Sequence, residues 1–169
     1  MATRFALGTA DDTFLDTAAH RYTHVVDIPA PVEQVWDTLT ADDALVSWSP
    51  VITAARWTSA RPFGVGTTRQ VTLGGFLRLD ERFYRWDEGA RMTFTVDAAS
   101  VPGLRRFAED LTLLPLATGT RLVWTFALEG NPVLRPLLTA ASPVNRFVTR
   151  SIAQGTTRRV RTAPSGARR

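Results

Sequence analysis

The sequence predicts an α+β fold in which a curved, seven-stranded antiparallel sheet closes around one long C-terminal helix, and three observations carry this. An alternating segment near the start passes directly into helical spacing. Six further alternating segments follow, divided by glycine and proline turns. The last third then changes from a period of two residues to one of 3.6.

The first strand runs from Arg21 to Ile28, where Tyr22, His24, Val26 and Ile28 share one face. Pro31 suits a first helical position and Glu33 sits near the positive end of the helix dipole. Val32, Val35, Trp36 and Leu39 recur at helical spacing, so a short amphipathic helix follows. Thr40 and Asp43 have the spacing of a capping box ahead of Ala44, Leu45, Val46 and Trp48, and Pro50 stops what they start. A second short helix is therefore expected before strand 2.

Six strand candidates come next: residues 51–58, 66–73, 76–86, 91–98, 105–114 and 120–128. Between them lie Pro62, Gly64 and Gly66, then Gly74-Gly75, Asp87-Glu88-Gly89, Pro102-Gly103 and Gly119, all residues suited to tight turns. Connections this short make neighbouring strands antiparallel. Asn131-Pro132 and Ser142-Pro143 each read as a helix cap followed by proline at the first helical position. The second opens a long helix to Val160 whose stripe is Val144, Phe147, Val148, Ser151 and Ile152. Residues 1–20 are expected to be an N-terminal extension, 21–160 a single domain, and 161–169 a basic flexible tail.

Composition bounds the function. With 169 residues, 44% hydrophobic and 21% charged, the chain has the make-up of one globular domain. It has no cysteine, which removes disulfides, thiolate metal sites and cysteine nucleophiles, and fits a reducing, cytoplasmic setting. No apolar run approaches the roughly 20 residues of a membrane span. All 20 basic residues are arginine and the net charge is +4, yet most alternate with apolar residues along strands, and a basic stripe with stacking aromatics is missing. Nucleic acid is accordingly not an expected partner. His20 and His24 are about 13 Å apart on extended chain, too far to share an ion, so no metal is expected. Gly64-Val65-Gly66 leads into a strand, and neither a P-loop nor a G-x-S-x-G elbow is present, so no cofactor is expected.

The order of elements resembles the helix-grip, START-like fold of the SRPBCC superfamily. Residues 26–36, Val-Asp-Ile-Pro-Ala-Pro-Val-Glu-Gln-Val-Trp, look like that superfamily's opening strand and helix. Trp48-Ser49-Pro50 is similar to its W-x-P after the second helix, and Gly119-Thr120-Arg121 to the turn into its last strand. The resemblance covers roughly residues 21–160 and is nearest the polyketide cyclase/dehydrase and lipid-transport-like branch, which includes binders, transporters and enzymes. It implies a cavity and leaves the reaction open.

A sheet curved around one helix leaves space between inward side chains unless large residues fill it. By strand parity and the helix stripe, Val71, Leu79, Phe83, Phe94, Phe107, Leu111, Trp124, Phe126, Phe147 and Ser151 should line that space, with Trp48 at its mouth. Arg69, Glu81 and Glu109 share the inward parity. Either they meet inside as an internal ionic group, or a bulge or open sheet end lets each reach water. His24 is the one histidine on the inward face. Two functions follow from these residues: binding of a small apolar or aromatic ligand, lipid- or polyketide-like, or a cofactor-independent cyclase or dehydratase using His24, Arg69, Glu81 and Glu109.

Overall fold

A computed structural model describes residues 3–162; the tail expected at 161–169 lies beyond them from residue 163 onward. The elements are β1 (Phe5–Ala6), α1 (Asp12–Thr17), β2 (His20–Ile28), α2 (Val32–Thr40), β3 (Ile52–Trp57), β4 (Thr68–Leu73), β5 (Leu77–Asp87), β6 (Arg91–Ala99), β7 (Leu104–Leu116), β8 (Gly119–Gly130), α3 (Leu134–Ala140) and α4 (Ser142–Thr162).

Seven strands form one antiparallel sheet in the order β2-β8-β7-β6-β5-β4-β3. The first and second long strands are thus its two edges, because α2 and the following turns carry the chain from one side to the other. β6 pairs with β7 only over Arg91 to Thr95, and the short β1 takes up Ala98 and Ala99 beyond that point. This places the N-terminal segment on the sheet. Asp11 caps α1, its Oδ1 accepting from the Phe14 amide at 2.9 Å. Phe14 and Leu15 are buried with Ala108 and Ala127 in a small cluster separate from the main core.

The expected second helix is absent. Residues 42–48 coil through successive turns, with Leu45 at φ 71° in the left-handed region. Thr40 cannot cap a helix there because its Oγ1 donates to the Trp36 carbonyl at 2.9 Å. Gly119 does need to be glycine: a Cβ there would overlap the Ile28 carbonyl, and its φ is 152°.

The main core lies between the sheet's inner face, α2 and α4. Val35, Trp36, Phe83, Phe94, Leu122, Trp124, Ile152 and Val160 all belong to it. The Tyr22 hydroxyl donates to Ser142 Oγ at 3.1 Å, and Gln34 Nε2 donates to the Val160 carbonyl at 3.3 Å, tying both ends of α4 down. No helix among the described residues is long and apolar enough to cross a membrane.

Candidate functional site

Strand register brings the inward charges together. Arg69 on β4 and Glu81 on β5 are directly paired positions, and Arg69 Nε donates to Glu81 Oε2 at 2.7 Å with both residues buried. Three rings surround the guanidinium: Trp57 at 4.9 Å, Phe83 at 5.3 Å and Phe94 at 5.4 Å. Glu109 on β7 is also buried, and its Oε2 accepts from Trp124 Nε1 on β8 at 2.8 Å.

Burial pushes both glutamates up. At Glu81 the adjacent Arg69 charge and hydrogen bond oppose that rise. Glu109 is pushed up to about 8, first by burial and then by the charge of Glu81. Its proton therefore stays on at neutral pH, and of the two glutamates it is Glu81 that Arg69 bonds directly. Two bare carboxylates beside a single guanidinium would be unbalanced, and the proton on Glu109 removes one of them.

The group stands in the wall of a cavity of about 190 Å3, together with Val71, Leu79, Phe107, Trp124 and Phe126 from the sheet. Helix α4 supplies Asn145, Val148, Thr149 and Ile152, and α3 supplies Leu138. Asn145 Nδ2 is buried with no hydrogen-bond partner among the described residues. The polar atoms offered to a guest are thus mostly donors: the outer nitrogens of Arg69, the Glu109 hydroxyl and the Asn145 amide.

The volume is smaller than strand parity implies, because one end of the space is filled. Phe83, Phe94 and Leu111 are buried but outside the cavity lining. Phe83 lies 5.1 Å from Phe94 and 5.2 Å from Trp86, ring centre to ring centre, and 5.5 Å from Trp57. These aromatic contacts occupy the space and press on Arg69 instead of on a ligand.

The helix contributes a different stripe from the one expected. Phe147 is 72% exposed, and neither it nor Ser151 lines the cavity. Successive helical positions are about 100° apart, so Asn145, Thr149 and Ile152 point inward where Phe147 cannot. Trp48 is no rim residue either. It is 6% exposed and lies against Gly155 of α4, where a Cβ would overlap its indole.

His24 faces the helix. Its Nε2 is 2.7 Å from Thr149 Oγ1, and that hydroxyl donates to the Asn145 carbonyl at 2.9 Å. The imidazole is then the donor, carrying its proton on Nε2. Burial, followed by the charges of Arg146 and Arg150, holds its pKa below the usual histidine value, so it is neutral at pH 7. It does not line the cavity, and it meets the wall through Thr149 and, edge to face at 6.0 Å between ring centres, through Phe126. Asn145 and Thr149 are the polar site residues sequence reasoning missed, although their spacing with Ile152 on one helical face was the available signal. Among the described residues no three His, Asp or Glu side chains are placed to hold a metal ion.

The model of the family described as polyketide cyclase / dehydrase and lipid transport matches residues 19–163. An uncharacterized protein of Mycobacterium tuberculosis is 36% identical over 132 residues, covering 78% of this chain and 79% of the relative. A protein of Thermus thermophilus superposes with a TM-score of 0.72 at 22% identity, covering 86% of this chain and 99% of that one. A START superfamily protein from Mycobacterium smegmatis gives 0.71 at 15% identity, over 86% and 100% of the two chains. A protein of the dynemicin biosynthetic locus gives 0.64 at 18%, over 85% of this chain and 48% of the other. At these identities the structural likeness establishes the fold.

Proposed function

The chain belongs to the polyketide cyclase / dehydrase and lipid-transport family, and from that premise we propose that it binds a small aromatic or otherwise apolar molecule whose oxygen is held by Arg69 and Glu109. The observation that carries this reading is a neutral carboxylic acid and a buried guanidinium in the wall of an apolar cavity. Folding a charge and an acid into such a place costs stability that apolar residues would not, so a task other than stability accounts for them better.

Size narrows the ligand. Engineered cavities of roughly 150 Å3 take a benzene molecule, so about 190 Å3 suits one or two fused rings better than a lipid chain. The absence of cysteine supports a cytoplasmic place of action.

A bicyclic ketone and its parent hydrocarbon, 1-tetralone and tetralin, test the reading by calorimetry. The ketone should bind at least about tenfold more tightly, the worth of a hydrogen bond from a charged donor. Arg69→Met with Glu81→Leu should abolish the difference. Equal affinities in the parent protein, or no binding of either compound, would overturn the proposal. Native mass spectrometry of freshly purified protein then reads the retained molecule directly.

One observation also favours catalysis: Glu109, poised at about 8, can give a proton to a substrate oxygen near neutral pH while Arg69 stabilises charge forming on it. Cyclisation or dehydration of a polyketide-like substrate needs such a step. In that case Glu109→Gln slows turnover of the true substrate, whereas unchanged turnover removes Glu109 from the chemistry.

A further inference from the structure

A second and larger hollow lies away from the cavity just described. It is a cleft of about 800 Å3 between α1, the start of β2, the β7–β8 strands and α3. Its floor is apolar, with Phe14, Ala18, Pro132 and Pro136, and its charges are Arg105, Arg106, Arg135 and the lone carboxylate Glu129.

Three features make this a built site. The β7–β8 register slips between Leu104 and Arg106, so Arg105 is an extra residue in the strand. A bulge re-aims a side chain, and here two consecutive arginines reach one cleft where strict alternation would send them to opposite faces. Arg106 is then fixed: its Nε donates to Glu129 at 2.7 Å and its guanidinium lies 4.4 Å above the Phe14 ring. Glu129 is thereby engaged, and the guanidiniums of Arg105 and Arg135 have no hydrogen-bond or ion-pair partner among the described residues. Finally, His20 in the cleft wall is 8% exposed with Nε2 buried and unpartnered, a polar atom for which the protein provides no mate.

We infer that this cleft binds an organic anion, a phosphate or carboxylate on an apolar body, with Arg105 and Arg135 gripping the head and the floor of Ala18, Pro132 and Pro136 taking the body. Three arginines against one glutamate leave a surplus of positive charge, and guanidiniums match the planar or tetrahedral oxygens of such heads. Free inorganic ions would use only half of the site.

Titration of the full, isotope-labelled chain with phenyl phosphate, benzoate, inorganic phosphate and benzyl alcohol, followed by amide chemical shifts, tests this. Phenyl phosphate or benzoate should move residues around His20, Arg105 and Arg135, inorganic phosphate should bind at least about tenfold more weakly, and benzyl alcohol should leave these residues unmoved. The tighter of the two aromatic anions names the head group. Arg105→Ala with Arg135→Ala, both exposed and so compatible with folding, should weaken binding at least about tenfold, while Glu109→Gln leaves it unchanged. Shifts confined to the Arg69 and Glu109 cavity, inorganic phosphate binding as tightly as phenyl phosphate, or undiminished binding by the double variant would each overturn the inference.

Discussion

Arg69 and Glu81 face each other across β4 and β5 at 2.7 Å, 5% and 3% exposed, inside a core that is otherwise largely apolar. Each is tolerable there only because of the other. Arg69→Met or Glu81→Gln alone should destabilise the protein by about 3–5 kcal/mol, since the remaining partner is left buried and unpaired. The double variant Arg69→Met with Glu81→Leu should recover most of that loss. Denaturant unfolding of the three variants reads the coupling, and simple additivity would show that the pair is not a unit.

Glu109 makes stability depend on pH in a stated direction. Its folded pKa, about 8, lies above the ordinary 4.5, so the folded state binds the proton more strongly than the unfolded chain. Its contribution is complete below pH 4.5 and is lost as pH rises through about 8, with a slope of up to about 1.4 kcal/mol per pH unit between. Glu109→Gln keeps an acceptor for Trp124 Nε1 and should flatten that slope. Unfolding curves across this range in both proteins check it.

His24 acts in the opposite sense. Its folded pKa is depressed below 6.5 by burial and by Arg146 and Arg150, so the contribution of its neutral form is present above pH 6.5 and lost as pH falls through the folded value. Imidazole resonances should titrate later than those of a free histidine, and His24→Gln should remove this part of the acid destabilisation. A midpoint at or above 6.5 would contradict the half-buried, Thr149-bound geometry.

Gly155 sits where the Trp48 indole and carbonyl crowd α4, and a Cβ would overlap both. Gly155→Ala should therefore cost about 1–3 kcal/mol through forced displacement of the helix, despite the better helix propensity of alanine. Thermal unfolding measures this, and an unchanged or raised melting temperature would refute it. Phe147→Ser, on the exposed side of the same helix, should change stability by no more than about 0.5 kcal/mol and leave ligand affinity unaltered.

Much of the architecture is a local matter, which is why the sequence by itself determined it. Two-residue alternation puts Arg69, Glu81 and Glu109 on the same face as Val71, Leu79 and Phe107 whatever surrounds them, and Ser142-Pro143 starts the long helix by capping chemistry alone. Three matters were decided only by tertiary structure, because each depends on residues far apart in the chain. Whether the inward charges met or escaped to water rested on the pairing of Arg69 with Glu81 and on the rings of Trp57, Phe83 and Phe94 closing around them. How much of the space stayed open rested on those same rings touching one another. The rotation of α4, which turns Thr149 inward and Phe147 out, is held by Gly155 against Trp48 and by His24 on β2, since one helical stripe differs from the next by a single residue and only contacts with other elements choose between them.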